Sequence, residues 1–526
     1  MSGNHLVVAP MLIVLVTAVL TLLTRRAPGV QRGLSLVGVL GYAVAVMALV
    51  SAVVPGQILT YQLGGWPAPF GISLVADSLS AFMLAIAAVV AVPALVFSLR
   101  FVPEFGQQLS YHSLFHFMLV GVTGAFLTAD IFNLFVWFEV MLMSTYVLVV
   151  FYSGPEHTRA ALHYVVLNLV GSAVMLLAIG GLYSTVGTLN MADIAARLAD
   201  PAAYGIDVAP VLGLSALLFA VFALKAGIVP FQFWVPAAYK AAPAPVTAMM
   251  AGVVKKVGVY AIIRLYFGVF AAATVPVSLP GIQGEGVLAY YGPVLFVMAS
   301  ASIVFGGIAA IGRDDLEGLL AYSSIGQVGF IVLPLAIAAT IPELRELAIV
   351  AALVYALNHA LAKGLLYLVA GTVQDASGTT DLHQVSGLSR VAPVVTGTFL
   401  VGGMALVGLP PLTGFFGKLF VIQTAVDAGS WIGIAVALVG AILTIGYVSR
   451  AWNRGFWGEP TPVAETVEPD STEVVVLVVL AAAIVLLGIG FDPVYQFADA
   501  ASQAALDRSG YVEAVQLQPL TGGEHA

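Results

Sequence analysis

Long apolar stretches alternate along the whole chain with short segments that hold most of the charged residues. A helix needs about 20 consecutive apolar residues to cross a lipid bilayer. On that scale the pattern predicts fourteen membrane-spanning segments. They lie near 5–23, 33–54, 72–98, 113–128, 131–152, 161–184, 209–229, 245–267, 287–309, 318–338, 346–372, 392–424, 431–452 and 473–490. The sequence therefore predicts an all-α polytopic membrane protein with about 14 transmembrane helices.

The composition agrees with this pattern and narrows the classes of function. Of 526 residues, 60% are hydrophobic and 9% are charged, against about 25% charged residues in soluble domains. The chain has no cysteine, which excludes disulfides, thiolate-bound zinc and cysteine-ligated iron–sulfur clusters. No phosphate-binding loop and no metal-binding histidine spacing is present. We therefore expect no metal, no cofactor, no nucleic-acid partner and no enzymatic activity.

The basic residues predict the orientation of the chain, because cytoplasmic loops carry an excess of lysine and arginine. With the N-terminus outside, ten fall in inner loops: Arg25, Arg26, Arg32, Arg100, Arg159, Lys240, Arg313, Arg390, Arg450 and Arg454. Four fall outside: Arg197, Arg264, Arg345 and Arg508. We therefore expect a multi-pass protein of the cell membrane, with both termini outside.

Five lysines remain when those fourteen residues are subtracted from the nineteen basic residues of the chain. All five fall inside predicted spans: Lys225, Lys255, Lys256, Lys363 and Lys418. Glu139, in 132-FNLFVWFEVMLMSTYVLVVF-151, is an acid within a span, and Asp77 lies near the start of the third span. A charged group at the centre of a transmembrane helix costs about 2.5–3.5 kcal/mol. We expect these side chains to face the bundle interior, one another or water.

Two spans are interrupted by proline and glycine. In the seventh, Pro230 follows Lys225 within 222-FALKAGIVPFQFWVP-236. In the twelfth, Pro410 and Pro411 precede Lys418 within 407-VGLPPLTGFFGKLF-420. Irregular backbone at membrane depth is tolerated where it lines a cavity, and paired interruptions indicate an internal repeat. The predicted units are N-terminal helices 1–3 (1–112), two inverted five-helix repeats (helices 4–8, 113–268; helices 9–13, 287–455), and helix 14 with a short tail (472–526).

Glu139 and Lys225 each allow two interpretations. Burial favours the neutral form of an ionisable group, whereas an opposite charge nearby favours the charged form. A glutamate beside Lys225 would therefore hold the lysine proton, and loss of the contact would release it. The alternatives are a carboxyl that only hydrogen-bonds a neighbouring helix and an ion pair that only supports the fold. A buried ion pair is weak evidence for stabilisation alone.

The remaining candidates lie in spans eight, ten and eleven. Lys255 and Lys256 are adjacent, so they point about 100° apart around a helix. At most one then faces the same seam as Lys225, and the other would extend towards the membrane interface; the pattern does not decide which.

His359 and Lys363, four residues apart, share a helix face and suit a proton relay, although a membrane histidine also serves as a hydrogen-bonded interior group. Span ten adds hydroxyl and amide groups, which suit interhelical hydrogen bonds or bound water: Tyr322, Ser323, Ser324 and Gln327.

Five stretches carry a resemblance to a known family. They are 133-NLFVWFEVMLMSTYVL-148, 224-LKAGIVPFQFWVPAAYKAAPAPVTAMMAGVVKKVGVYAIIRLY-266, 313-RDDLEGLLAYSSIGQVG-329, 358-NHALAKGLLYL-368 and 408-GLPPLTGFFGK-418. With them the chain resembles the antiporter-like subunits shared by multisubunit Mrp-type Na+/H+ antiporters and the membrane arm of respiratory complex I. Within that superfamily it looks most like the D-type subunits of Mrp antiporters, because of spans five, seven and eight and because only residues 491–526 follow the last span.

The resemblance implies a fold and a set of roles. The fold has fourteen transmembrane helices, two inverted five-helix repeats, and breaks in helices 7 and 12. The implied proton path begins at the pair Glu139 and Lys225 and continues through Lys256, then His359 and Lys363, to Lys418. The resemblance selects Lys256 from the doublet because a V-G-x-Y-A string follows it directly.

The leading hypothesis is a proton-translocating subunit of a multisubunit cation/proton antiporter, a transporter component rather than an enzyme. Its expected partners are other membrane subunits and the lipid bilayer, and the expected transported ions are protons and Na+. Two alternatives remain open. One is an antiporter-like subunit of complex I, and the other is a non-transporting scaffold whose charges only hold the bundle together.

Overall fold

The computed structural model describes residues 4–54, 56–279 and 282–517, most of which are helical. The helices of the first half are α1 (His5–Leu23), α2 (Pro28–Val53), α3 (Ser78–Phe101), α4 (Glu104–Gln108), α5 (Tyr111–Leu127), α6 (Ile131–Val149), α7 (Pro155–Val186), α8 (Met191–Ala199), α9 (Ala209–Ala226), α10 (Trp234–Ala241), α11 (Ala244–Met249) and α12 (Lys255–Ala261). Those of the second half are α13 (Val287–Ile311), α14 (Leu316–Ala338), α15 (Arg345–Ser377), α16 (Leu388–Val391), α17 (Pro393–Val407), α18 (Thr413–Asp427), α19 (Trp431–Ala451), α20 (Ser471–Ile489), α21 (Asp492–Leu506) and α22 (Arg508–Val515).

The apolar helices fall where the hydrophobic pattern predicts them. Among the described residues, twelve helical runs are long and apolar enough to cross a membrane. Two shorter apolar helices, α5 and α17, overlap two further predicted spans, 113–128 and 392–424. The prediction of an all-α polytopic membrane protein is confirmed, whereas the exact count of fourteen and the inverted repeats stay predictions. The end of the predicted tail, 518–526, lies outside the described residues, as does the C-terminus that we expect outside the membrane.

The seventh span is broken after its lysine. Helix α9 ends with Gly227 in the left-handed region (φ 68°), which glycine adopts without steric cost. The Gly227 N–H donates to the carbonyls of the last turn of α9. Pro230 lies in the turn that follows, and the chain resumes as α10 at Trp234.

The twelfth span is broken in the same manner. Helix α17 ends at Val407 and is capped by Gly408 (φ 88°), again in the left-handed region. Pro410 and Pro411 occupy the turn, where neither needs to supply a backbone N–H, and α18 begins at Thr413. The two interruptions therefore coincide with the two proline-containing turns.

The structure contains two kinds of element that the hydrophobic pattern does not predict. Strands β1 (Leu59–Gln62) and β2 (Ser73–Ala76) pair antiparallel, as do β3 (Pro276–Leu279) and β4 (Ile282–Glu285). Helices α21 and α22 follow the last span, and α21 packs against α3 and α15. These elements are too short or too polar for a scale that looks for about 20 apolar residues.

The structure corrects the predicted position of Arg264. The basic-residue pattern assigns it to an outer loop, but it lies inside the helical run Ala244–Ala272 and is 3% exposed. One of its terminal nitrogens lies 2.7 Å from each carboxylate oxygen of Asp77, which also caps the N-terminus of α3. Arg197, also assigned outside, is buried on α8 and forms an ion pair with Asp193. Both arginines therefore belong to buried ion pairs.

Candidate functional site

A cluster of ionisable side chains lies at the centre of the bundle. The Lys256 Nζ lies 2.5 Å from Nδ1 of His359, and it also donates to the Ala251 carbonyl at 2.8 Å. The second ring nitrogen of His359, Nε2, lies 3.3 Å from the hydroxyl of Ser324. Lys256 and His359 have no exposed surface. Both nitrogens of His359 are thus engaged, one by a lysine and one by a hydroxyl.

Lys255 joins this cluster instead of reaching the membrane interface. Its Nζ lies 3.4 Å from the Ser324 carbonyl and 3.5 Å from the Ser324 hydroxyl, and its side chain is fully buried. The expectation that the second lysine of the doublet snorkels is therefore wrong. Helix α12 is preceded by a π-helical segment, Met250–Val254, whose wider turn interrupts the α-helical spacing before the doublet. Segments of this kind occur frequently at functional sites.

Lys363 completes the cluster from α15. Its ammonium donates to the Leu320 carbonyl at 2.9 Å and to the hydroxyl of Ser323. Two lysines, Lys255 and Lys363, and His359 therefore contact Ser323 and Ser324 of α14, and Lys256 joins them through His359. Among the described residues, no carboxylate lies within 4.0 Å of these three ammonium groups. Their protonated forms repel one another, so a proton that enters the cluster favours the release of another.

Lys225 approaches the cluster from the break in the seventh span. Its Nζ donates to the Tyr164 hydroxyl at 3.3 Å and lies 6.0 Å from the Trp234 ring centre. On the other side of the break, a Cβ placed at Gly227 would lie 3.2 Å from the Lys255 Nζ. The Gly227 turn thus separates the last turn of α9, which carries Lys225, from the first lysine of the cluster.

Glu139 lies at the outer end of this arrangement, half-buried on α6. Its carboxylate accepts a hydrogen bond from the hydroxyl of Ser172 on α7. No ion pair within 4.0 Å joins it to Lys225, although both side chains are described. Both side chains contact α7, Glu139 at Ser172 and Lys225 at Tyr164, about two helix turns apart. The structure therefore brings the predicted pair to one region without direct contact.

Lys418 marks the opposite end, beside the break in the twelfth span. Its Nζ donates to the Val407 carbonyl at 3.0 Å, at the carbonyl end of α17, where a positive charge is favoured. It also lies 5.0 Å from the Phe330 ring centre. The two broken spans thus each place a lysine at the carbonyl end of their first half.

A hydrogen-bonded group lies between Lys363 and Lys418. Gln327, one helix turn beyond Ser323, donates to the Tyr447 hydroxyl at 2.6 Å and to Thr444 at 3.2 Å. Tyr355 donates to the side-chain oxygen of Gln327. The sequence points to Gln327 but not to its tyrosine partners, nor to Ser172 and Tyr164 near Glu139. The only signal for these residues is that a polar group stands inside an apolar span.

Residues 128–444 match the family described as NADH:quinone oxidoreductase/Mrp antiporter, transmembrane. This match covers more than half of the chain. The chain belongs to this family. The matched range contains all six predicted groups and both helix breaks, and of the site residues named above only Tyr447 lies beyond it.

Similar proteins come from both branches of the family. The D-type Na(+)/H(+) antiporter subunit of Alkalihalophilus pseudofirmus is 33% identical over 514 residues, which cover 97% of this chain and 99% of that protein. The N-type NADH-quinone oxidoreductase subunit of Desulforudis audaxviator is 36% identical over 456 residues, which cover 85% and 86%. A chain of the Mrp complex from Dietzia sp. DQ12-45-1b superimposes with a TM-score of 0.85 at 26% identity, over 97% of this chain and 99% of that one. The predicted resemblance is confirmed.

Proposed function

We propose that this chain is the proton-translocating subunit of a multisubunit Na+/H+ antiporter in the cell membrane, with both termini outside. The observation that carries the proposal is the buried cluster of Lys255, Lys256, His359 and Lys363, with one further lysine at each helix break. Side chains that each bind and release one proton, spaced through the membrane interior, suit transfer of protons and not binding of a bulky substrate.

The geometry supports a route through the cluster. A proton on Lys225 would pass the Gly227 turn to Lys255, whose ammonium reaches Ser324. Ser324 contacts one nitrogen of His359, and Lys256 contacts the other, so the ring could accept a proton at one side and donate it at the other. Because only one nitrogen of a neutral histidine carries hydrogen, a transfer through the ring leaves hydrogen on the nitrogen that accepted the proton. The ring must then tautomerise or turn over before it carries the next proton in the same direction.

The second half of the route would run from Lys363 to Lys418. Ser323 and Gln327 stand on one face of α14, one turn apart, and Gln327 reaches the hydroxyls of Tyr355 and Tyr447. Phe330 lies between this group and the Lys418 ammonium. In the proposal the two predicted repeats, 113–268 and 287–455, each contribute one broken helix and one part of the route.

Glu139 would couple the chain to its partners. The carboxylate is half-buried and lies near Lys225 without contacting it, so a neighbouring membrane subunit that covers it would change the electrostatic environment of Lys225. We infer that other membrane subunits of the antiporter supply this cover, and that Na+ leaves as protons enter. The relatives named as D-type antiporter subunits support this assignment.

The alternative complex I assignment has the support of the 36% identical N-type oxidoreductase subunit. That relative covers 85% of the chain, whereas the D-type antiporter relative covers 97%.

The absence of opposite charges beside the central lysines, within the described part of the chain, disfavours the scaffold alternative. A scaffold charge is stabilised by an opposite charge, as Arg264 is by Asp77, but the three central lysines have no carboxylate within 4.0 Å among the described residues.

Exchange by the assembled complex tests the proposal. Inverted vesicles that contain the complex are acidified, Na+ is added, and the loss of the pH gradient is followed. We expect the rate to fall by about 10²-fold or more with Glu139→Gln, as for loss of a proton-transfer group, while Glu104→Gln, an exposed acid on α4, leaves it unchanged. Wild-type exchange by an assembled Glu139→Gln complex would refute the proposal.

A further inference from the structure

Glu473, the third residue of α20, is a buried carboxyl that the proton route does not use. It is 1% exposed, and neither of its carboxylate oxygens has a hydrogen-bond partner among the described residues. The buried acids Asp77 and Asp193 differ, because each holds an arginine at less than 3 Å. A buried carboxylate without a partner is unfavourable unless it binds a proton or a cation.

A hydroxyl beside this carboxyl also lacks a partner in the described part of the chain. Thr372 of α15 faces Glu473, is 1% exposed, and its hydroxyl has no hydrogen-bond partner among the described residues. Three buried oxygen atoms from two packed helices therefore lie near one another, and each lacks a hydrogen-bond partner among the described residues. Carboxylate and hydroxyl oxygens are ligands of hard cations.

The charged groups around the two side chains leave the site negative. Asp375 on α15, Asp470 before α20 and Arg100 on α3 are the neighbouring charges. Arg100 is held by Asp470 at 2.8 Å, and its side chain is 66% exposed, so it does not neutralise Glu473. Asp375 is exposed, so this neighbouring carboxylate is in contact with water.

The helix ends favour a charged carboxylate here. Glu473 lies in the first turn of α20, where the helix dipole stabilises negative charge. Thr372 lies near the carbonyl end of α15, which ends at Ser377 and favours positive charge. A glutamate at this position often folds back to the backbone N–H of the capping residue, but Glu473 makes no such bond. Capping therefore does not account for its position.

We propose that Glu473 and Thr372 bind a monovalent alkali cation, for which protons compete at the Glu473 carboxylate. One carboxylate matches one positive charge, since Asp470 is already neutralised by Arg100. Water on the side of Asp375 would supply the remaining ligands. The choice of Na+ as the ion rests on the proposed function, whereas the presence of a cation site does not. The site would supply a cation-binding group within this chain, apart from the lysine series.

Thermal unfolding of the purified complex tests the site. The Na+ concentration that gives half of the maximal stabilisation is measured at constant ionic strength, with choline replacing Na+. For Glu473→Gln we expect this concentration to rise by at least about tenfold, since one charged ligand is lost. Thr372→Val should raise it less, and Glu468→Gln, an exposed acid before α20, should leave it unchanged. Lowering the pH should raise it in the wild type but not in Glu473→Gln.

Three outcomes would refute the cation site. They are equal thermal stability of the wild type in Na+ and in choline, an unchanged half-maximal Na+ concentration in Glu473→Gln, and a pH dependence of that concentration that persists in Glu473→Gln. If Glu473→Gln does not assemble, an unchanged half-maximal Na+ concentration in Thr372→Val serves as the refutation. Lys225→Ala separates the two proposals. This variant should lose Na+/H+ exchange, whereas its half-maximal Na+ concentration should stay at the wild-type value. Full exchange in Lys225→Ala would refute the proton route and leave the cation site in place.

Discussion

The Lys256 ammonium lies 2.5 Å from Nδ1 of His359, although the two residues are 103 positions apart in the chain. Lys256 belongs to the first of the two predicted repeats and His359 to the second. The contact joins the two predicted repeats inside the central cluster of the proposed proton route. The other ring nitrogen faces Ser324, so this imidazole is placed between a lysine and a hydroxyl.

Removal of the His359 ring should interrupt the route at its centre. We expect His359→Ala to reduce Na+/H+ exchange by about 10²-fold or more, since in the described part of the chain no other side chain contacts both Lys256 and Ser324. The measurement is exchange in vesicles at matched complex abundance. His163→Ala, an exposed histidine on α7, is the control and should exchange normally. Equal rates in the two variants would exclude His359 from the route.

Lys255 should matter as much as Lys256. Both ammonium groups are fully buried, and that of Lys255 lies against Ser324 and the Gly227 turn. We expect Lys255→Ala to lower exchange to the level of Lys256→Ala. Arg26→Ala, an exposed charge in an inner loop, should have no effect. Normal exchange in Lys255→Ala with loss in Lys256→Ala would assign Lys255 to packing alone.

We expect loss of the buried ion pair between Asp77 and Arg264 to destabilise the fold without a specific effect on proton transfer. Asp77→Ala leaves the Arg264 guanidinium buried without its carboxylate, which should lower the free energy of unfolding by about 3–5 kcal/mol. Replacing both residues, as Asp77→Leu with Arg264→Met, should recover most of that loss, because no charge remains buried. Unfolding of the purified protein in detergent measures both. A double variant no more stable than Asp77→Ala would contradict this account.

Asp314, in the turn before α14, predicts a dependence on pH. Loss of hydration beside its neighbours raises the pKa of this exposed carboxyl, but the guanidinium groups of Arg450, at 2.5 Å, and Arg454, at 2.9 Å, outweigh that effect and lower the pKa below its usual value. A lowered folded-state pKa gives stability that is full above the unfolded-state pKa of about 3.9 and is lost as the pH falls through the folded value. Asp314→Asn should therefore unfold at a lower temperature than wild type at neutral pH. The difference should vanish once the pH is well below about 3.9; a constant difference would exclude these ion pairs as its cause.

The spans and the breaks were predictable because both depend on local composition. A 20-residue apolar run predicts a helix whatever the rest of the chain does, and glycine followed by proline ends one, as at Gly227 and Pro230. The buried titratable groups were identified for the same reason, since a lysine inside an apolar span is visible in the sequence alone.

The partners of those groups could not be predicted, because they come from distant parts of the chain. Arg264 meets Asp77 across 187 positions, and a count of loop charges has no access to that contact. Lys255 turns inward next to a π-helical segment, which the regular 3.6-residue period does not anticipate. Ser172 contacts Glu139 through packing of α6 on α7, although nothing local distinguishes it from other serines.

The central claim is that buried lysines bind and release protons, and Lys225→Arg tests it most directly. Arginine keeps the positive charge and the donors that face Tyr164, but it does not release its proton at physiological pH. The measurement is Na+/H+ exchange in vesicles with the assembled complex, beside Lys225→Ala. The account predicts that both variants lose exchange to the same extent. Wild-type exchange in Lys225→Arg with loss in Lys225→Ala would show that only the charge of Lys225 is needed, and would contradict proton transfer through it.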